Sequence, residues 1–331
     1  MKVAINGFGR IGRTLFKQLL DAGGFEIVAV NDLASPGDLA YALKFDTVRG
    51  RYHRHVEVEG DRLLVDGRAT LVLREPDPAA LPWSALGAQL VFECTGRFTE
   101  AADLEQHIAA GAEFVILSAP ARDGDVPTLA HGVNAATGRK IISCASCTTN
   151  AIAAVMEIMS RRFGVRKAAM TTVHAYTAGQ ALTDTPLADR RRGRAAAANL
   201  VPSTTGAARA TARALPELAG RFDGIAIRAP VPVGSIADIT CLVAAPTTIE
   251  AVNAVFREEA RGERYRGLVG ASDDELVSSD IIGDSRAAIV DLTLTQVIDG
   301  DLVKLFSWYD NEWGYSAQLV RVAEDLAAAS T

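Results

Sequence analysis

The sequence lacks any apolar run near the roughly 20 residues that cross a bilayer, so no membrane span is expected. It also lacks the apolar core and small-residue cleavage site of a secretory leader. Met1-Lys2-Val3-Ala4-Ile5-Asn6-Gly7 runs straight into a strand and a glycine turn. Four cysteines in 331 residues are too few for a disulfide framework, and a reducing cytoplasm is the expected home. Excess positive charge is missing as well: the formal net charge is −6, which gives no bulk attraction to nucleic acid or to an anionic membrane. No internal repeat, low-complexity linker or metal site is read. What remains is the composition of a globular protein, 49% hydrophobic and 22% charged, long enough for one large domain or two.

Val3-Ala4-Ile5 reads as a short strand, and Ile11, Leu15, Phe16, Leu19 and Leu20 mark one face of a helix. Between them lies a G-x-G-x-x-G turn with Gly7, Gly9 and Gly12. Such a turn lets backbone approach a pyrophosphate held at the helix N-terminus, although strand-to-helix glycine turns are common and the motif alone is weak. A second strand, Phe25 to Val30, is followed by Asp32, 20 residues beyond Gly12 (32 − 12). A carboxylate there binds adenosine ribose hydroxyls and repels a 2′-phosphate, so NAD is the expected dinucleotide. The plainer reading has Asp32 capping a strand end. Two further apolar segments, 90–96 and 114–120, read as buried parallel strands ending in small polar residues. Thr95, Gly96 and Ser118 are therefore candidates for cofactor contact, and Cys94 reads as packing inside its strand. From 55 to 74, Gly60-Asp61 and Asp66-Gly67 break the pattern into antiparallel hairpins inserted into the doubly wound sheet.

The segment Ser143-Cys144-Ala145-Ser146-Cys147-Thr148-Thr149-Asn150 separates a strand end at Lys140-Ile141-Ile142 from a helical pattern through Ala151, Ile152, Val155, Ile158, Met159 and Phe163. Ser146 is a good N-cap, which puts Cys147 in the first turn, where the helix dipole favours a thiolate nucleophile. The alternative is one more small buried cysteine. His174, at the end of the strand starting at Ala168, is the natural partner for such a thiolate. His53, His55, His107 and His131 read as surface or satisfied core residues. The run Asp189-Arg190-Arg191-Arg192-Gly193-Arg194 is a basic patch in an acidic chain, better suited to a local anion or a subunit contact than to nucleic acid. Ser203-Thr204-Thr205-Gly206 opens another helix and offers a second phosphate site. Arg228 sits in an apolar strand and needs a partner or a ligand. Later strands through Ile239, Ile289 and Leu305 suggest a second, largely antiparallel domain, and Leu319, Val320, Val322, Ala323 and Leu326 outline a closing helix.

Along essentially its full length the chain resembles the phosphorylating glyceraldehyde-3-phosphate dehydrogenases. The blocks are Asn6-Gly7-Phe8-Gly9-Arg10-Ile11-Gly12-Arg13, Ala145-Ser146-Cys147-Thr148-Thr149-Asn150, Thr171-Thr172-Val173-His174-Ala175, Pro202-Ser203-Thr204-Thr205-Gly206-Ala207-Ala208 and Trp308-Tyr309-Asp310-Asn311-Glu312-Trp313-Gly314-Tyr315. The resemblance implies an α/β fold: a doubly wound Rossmann NAD-binding domain (1–147 and 315–331) plus an α+β catalytic domain (148–314) with a mostly antiparallel sheet. It implies Cys147 as nucleophile and His174 as base, and NAD on Arg10, Ile11, Asp32, Ser118 and Asn311. It further implies substrate phosphate on Thr177, Arg192 and Arg228, with Arg191 the other choice in the run. Inorganic phosphate is implied on Ser146, Thr148, Thr205 and Gly206. A homotetramer is implied, with 179–202 lining a neighbour's cofactor site. The related reaction is erythrose-4-phosphate oxidation, where the thioester is hydrolysed; a binding protein using Arg190 to Arg194 on RNA is the rival from another class. Departures from the family pattern are Cys144, Thr185, Pro76 and Val233-Gly234. Cys144 gives a C-x-x-C spacing with Cys147, read as a packing change or as a reversible disulfide. Thr185 leaves some NADP use open.

Overall fold

The computed structural model describes residues 1–135 and 138–329. Residues 136–137 and 330–331, which the expected first domain includes, lie outside the described residues. Two compact units are present. One holds Met1–Leu129 with 138–145 and 316–329, the other Ala130–Ala135 and Ser146–Tyr315.

The first unit is built on an eight-stranded sheet. In space the order is Ile141–Ser143, Phe114–Leu117, Leu90–Glu93, Lys2–Asn6, Glu26–Asn31, Arg68–Leu73, Arg62–Val65, Val56–Glu59. Pairing is parallel from the first of these through Arg68–Leu73. The strands are apolar runs because parallel sheets are covered on both faces: Leu90, Val91 and Phe92 are fully buried. The hairpins expected within the sheet instead extend one end of it, as the last two strands pair antiparallel. Asp66 and Gly67 both take positive φ there, 50° and 77°, which matches the right-handed twist of a tight hairpin. The strand at Leu90 stops at Glu93, so Cys94 lies just past its end rather than inside it.

The second unit is a mixed sheet ordered Val201–Thr204, Phe222–Ala229, Val165–Ala175, Ser235–Val243, Leu302–Tyr309, Ala288–Asp291, Val269–Ser272, with Gln296–Ile298 also on Leu302–Tyr309. Every pairing is antiparallel except Val165–Ala175 with Phe222–Ala229 and Val269–Ser272 with Ala288–Asp291. Ser235–Val243 alternates strictly between buried and half-buried residues, which turns Ala237, Ile239, Cys241 and Val243 to the core. The helix Cys147–Phe163 is buried over most of its surface, with Thr148, Thr149, Asn150 and Glu157 buried beside its apolar residues. Ile152, Val155, Met156 and Met159 join those strand residues with Leu305 and Tyr309 in one cluster. Register then sets the site. His174 lies opposite Arg228 on the neighbouring parallel strand, and Ser235 lies opposite Tyr309.

Candidate active site

In the first unit, Gly7, Gly9, Asp32, Pro76, Cys94 and Thr95 line a cavity of about 260 Å³. The glycine turn is sterically required. A Cβ on Gly12 would overlap the Gly7 carbonyl oxygen, and one on Gly7, at φ +96°, would sit 2.6 Å from the Thr95 nitrogen. A Cβ on Gly9, the N-cap of Arg10–Ala22, would meet nothing within 4 Å. Open space over a helix N-terminus with glycine beside it fits a dinucleotide pyrophosphate. Asp32 faces the cavity with both carboxylate oxygens engaged, accepting from Phe8 N at 2.8 Å and Ala34 N at 3.1 Å. Arg10 forms an ion pair with Asp46 at 3.2 Å, and Ile11 is half-buried beside it. Ser118 donates its backbone N–H to the Glu93 carbonyl, and its hydroxyl bonds the Cys94 sulfur. Arg10, Ile11, Gly12, Gly96 and Ser118 are not among the cavity's lining residues.

A buried polar network lies beneath this turn, and sequence reasoning did not find it. Glu93, fully buried, accepts from Asn6 Nδ2 at 2.6 Å, from Thr95 N at 2.7 Å and from Thr95 Oγ1 at 2.5 Å. Trp83 Nε1 donates to His107 Nδ1 at 3.0 Å, so Nε2 carries the imidazole proton toward Glu93 Oε2, 3.2 Å away. Asn6 Oδ1 in turn accepts from Asn31 Nδ2 at 2.7 Å. The only signal in the sequence was an acid closing the apolar run Leu90-Val91-Phe92.

In the second unit, Ser146 caps Cys147–Phe163, its Oγ accepting from Thr149 N at 3.1 Å. Ala145, just before it, turns the chain at φ +52°. Cys147 Sγ lies 3.3 Å from His174 Nε2 and against the N–H groups of Cys147 and Thr148. Burial pushes the Cys147 thiol up, opposed by the Arg228 charge. The easily ionised thiol expected from the helix N-terminus is thus countered by desolvation. Burial, with Arg228 beside it, pushes His174 down to about 3, so the resting pair is a neutral thiol and a neutral imidazole. Arg228 NH1 lies 2.6 Å from His174 Nδ1 and 3.2 Å from the Ala175 carbonyl, which itself is 2.7 Å from Nδ1. One Nδ1 cannot serve both neighbours. Bare, it accepts from Arg228, and protonated, it donates to Ala175.

Arg228 Nε is buried with no partner among the described residues. Arg192 donates from Nε to Ser203 Oγ at 2.9 Å, and its charge reaches Arg228. Arg191 is exposed. Thr177 is exposed, with its N–H on Gln180 Oε1 at 3.2 Å. Thr205 Oγ1 accepts from Ala207 N at 3.1 Å where Ala207–Ala214 begins, and Gly206 is that helix's N-cap. Asn311 Oδ1 accepts from Gly234 N at 3.1 Å and Ser235 Oγ at 3.2 Å, which leaves its amide nitrogen to donate outward. Gly234 takes φ +94°, and a Cβ there would overlap the Ser278 carbonyl oxygen, so the Val233-Gly234 departure has a local steric reason.

Residues 1–101 match the family described as the glyceraldehyde 3-phosphate dehydrogenase NAD binding domain, and 146–311 match its C-terminal domain. The chain belongs to the glyceraldehyde 3-phosphate dehydrogenase family. It is 48% identical over 325 residues to the glyceraldehyde-3-phosphate dehydrogenase of Streptomyces coelicolor, covering 97% of this chain and 96% of that one. It is 44% identical over 332 residues to the Geobacillus stearothermophilus enzyme of the same name, covering 99% and 98%. It is also 44% identical over 331 residues to glyceraldehyde-3-phosphate dehydrogenase 1 of Bacillus subtilis, covering 99% and 98%. Cys144, one of the departures from the family pattern, is 1% exposed, near Cys94, and burial pushes its thiol up to about 12. Among the described residues no helix is long and apolar enough to cross a membrane.

Proposed function

We propose that the chain oxidises glyceraldehyde 3-phosphate, with NAD and inorganic phosphate, to 1,3-bisphosphoglycerate. The observation that carries this is the Cys147 sulfur 3.3 Å from His174 Nε2 beside Arg228, whose buried Nε has no partner among the described residues. The substrate's phosphate satisfies Arg228 and Arg192, with Thr177 at the exposed rim. Drawn to that phosphate, Arg228 leaves His174 Nδ1 free to carry a proton and donate to the Ala175 carbonyl, and Nε2 becomes the base. Nε2 takes the thiol proton as sulfur adds to the aldehyde carbon. The oxyanion formed is held by the helix N-terminal N–H of Cys147 and by His174, giving a thiohemiacetal.

Bound NAD would supply the hydride acceptor for that carbon. Gly7, Gly9, Arg10, Ile11, Asp32, Thr95, Gly96 and Ser118 would hold it, with the Asn311 amide nitrogen the donor for its carboxamide. His174 removes the hydroxyl proton as the thioester forms. Inorganic phosphate, held by Ser146, Thr148, Thr205 and Gly206, then attacks the thioester carbon; the C–S bond breaks and the Cys147 thiolate leaves. Four free cysteines suit a reducing cytoplasm. Self-association into a homotetramer is supported by apolar side chains left in the open: Ile225 is 52% exposed, Leu200 69% and Leu182 80%.

NADH formation from glyceraldehyde 3-phosphate, with and without inorganic phosphate and with Cys147→Ser alongside, tests the reading. Turnover that requires phosphate and vanishes in the variant is expected. Turnover independent of phosphate would replace it with a hydrolytic aldehyde oxidation.

A further inference from the structure

Three hydroxyls run in line from the nucleophile's helix into the sheet. Thr148 Oγ1 lies 2.9 Å from Tyr309 OH, Tyr309 OH lies 2.7 Å from Thr172 Oγ1, and Thr172 donates to the Ile236 carbonyl at 3.2 Å. All three are buried, Thr172 fully. The order of donors is set from the far end. A carbonyl can only accept, so the Thr172 proton points to Ile236. The Tyr309 proton then goes to Thr172, and the Thr148 proton goes to Tyr309. Thr148 Oγ1 also lies 4.0 Å from Cys147 Sγ, a contact in which the neutral thiol can be the donor. Each hydroxyl has a single proton, so with the Thr148 proton on the much shorter bond to Tyr309 it has none left to offer. Its oxygen, one residue from Cys147, can only accept.

We infer that Tyr309 and Thr172 are positioning residues that fix Thr148 as a hydrogen-bond acceptor, so that this site selects an attacking oxyanion bearing its own proton. This rests on the placement of inorganic phosphate at Thr148 proposed above. Phosphate at neutral pH carries at least one P–OH and can donate to Thr148. Sulfate, a tetrahedral oxyanion of similar size, carries none and sets an oxygen lone pair against that of Thr148. No proton moves along the chain in binding; its order alone discriminates. Burial makes the mismatch costly, because a buried acceptor facing an acceptor loses its bond without compensation from water.

The test compares KM for phosphate with the inhibition constant of sulfate against phosphate, at saturating glyceraldehyde 3-phosphate so that the substrate's own phosphate site stays filled. In the parent, sulfate should bind at least about tenfold more weakly than phosphate, the effect of one lost buried hydrogen bond. Tyr309→Phe removes the middle link and frees the Thr148 proton to point outward. Thr172→Val removes the anchor, and Tyr309 then donates to Thr148 with the same result. Both variants should weaken phosphate and tighten sulfate, closing the gap about tenfold, with KM for NAD unmoved. Thr172→Ser keeps the chain and should discriminate as the parent does. Phosphate and sulfate constants that rise together, or a ratio unchanged in whichever variant folds, would overturn the inference. A parent that turns over without phosphate would instead overturn the reaction on which it rests.

Discussion

At the scale of single residues, the protonation of His174 has a consequence for stability. The folded chain holds it down to about 3, by burial first and by Arg228 second, whereas an unfolded histidine titrates near 6.5. Between those values the unfolded chain binds a proton that the folded one does not. Stability owed to His174 is therefore complete above pH 6.5 and drains as pH falls toward 3, by up to about 1.4 kcal/mol per pH unit. Denaturant unfolding at pH 7 and pH 5 should show the parent losing more than His174→Asn; equal losses would show that this imidazole does not titrate so low. Arg228→Ala should raise KM for glyceraldehyde 3-phosphate by about tenfold to a hundredfold, the range for a charge-assisted bond. An unchanged KM would remove Arg228 from the substrate site. Burial pushes the thiols of Cys94, Cys144 and Cys241 up to about 12. Cys144→Ser should accordingly keep full activity and the parent's recovery after peroxide, and loss of that recovery would point to a disulfide.

At the scale of elements, the glycine turn and the Glu93 network form one device. Glu93 bonds Asn6, at the end of the first strand, and Thr95, which lines the cavity. Glu93→Gln would turn an amide N–H₂ toward groups that already donate. Thermal unfolding should show a loss of about 1 to 3 kcal/mol for that buried mismatch, and NAD titration a weaker affinity. A variant with parental affinity would show that the network supports the sheet alone. These two halves of the device differed in legibility for a physical reason. Gly7, Gly9 and Gly12 are neighbours in sequence, so their spacing is visible there, although only the clash of a Gly12 Cβ with Gly7 is local, while that of a Gly7 Cβ is with Thr95 on another strand end. Ser146, Cys147 and the helix after them were likewise readable, as a cap followed by apolar residues at helical spacing. The Thr148–Tyr309 and Thr172–Tyr309 bonds join residues 161 and 137 positions apart. No periodicity or local composition carries such a pairing, and only the strand register creates it. Arg228 stood between the two cases: a charge in an apolar strand announced a need without naming His174 as its neighbour.

At the scale of the whole molecule, the exposed apolar side chains bear on assembly. Ile225, Leu182 and Leu200 are left to solvent in the isolated chain. Light scattering should report a homotetramer, and Ile225→Glu or Leu200→Glu should shift it toward smaller species; a monomeric parent would refute self-association. The position of the base has a further consequence. Val165–Ala175 lies inside its sheet, bonded to Phe222–Ala229 on one side and Ser235–Val243 on the other, and His174 is held at the end of it opposite Arg228. A strand paired on both sides cannot fray by itself, so the imidazole is released only when the sheet opens as a body. Catalysis is therefore a faithful gauge of the fold. On heating, the loss of turnover should trace the same curve as the loss of sheet, and a sample assayed at half its activity is expected to contain half of its chains intact rather than all of them impaired.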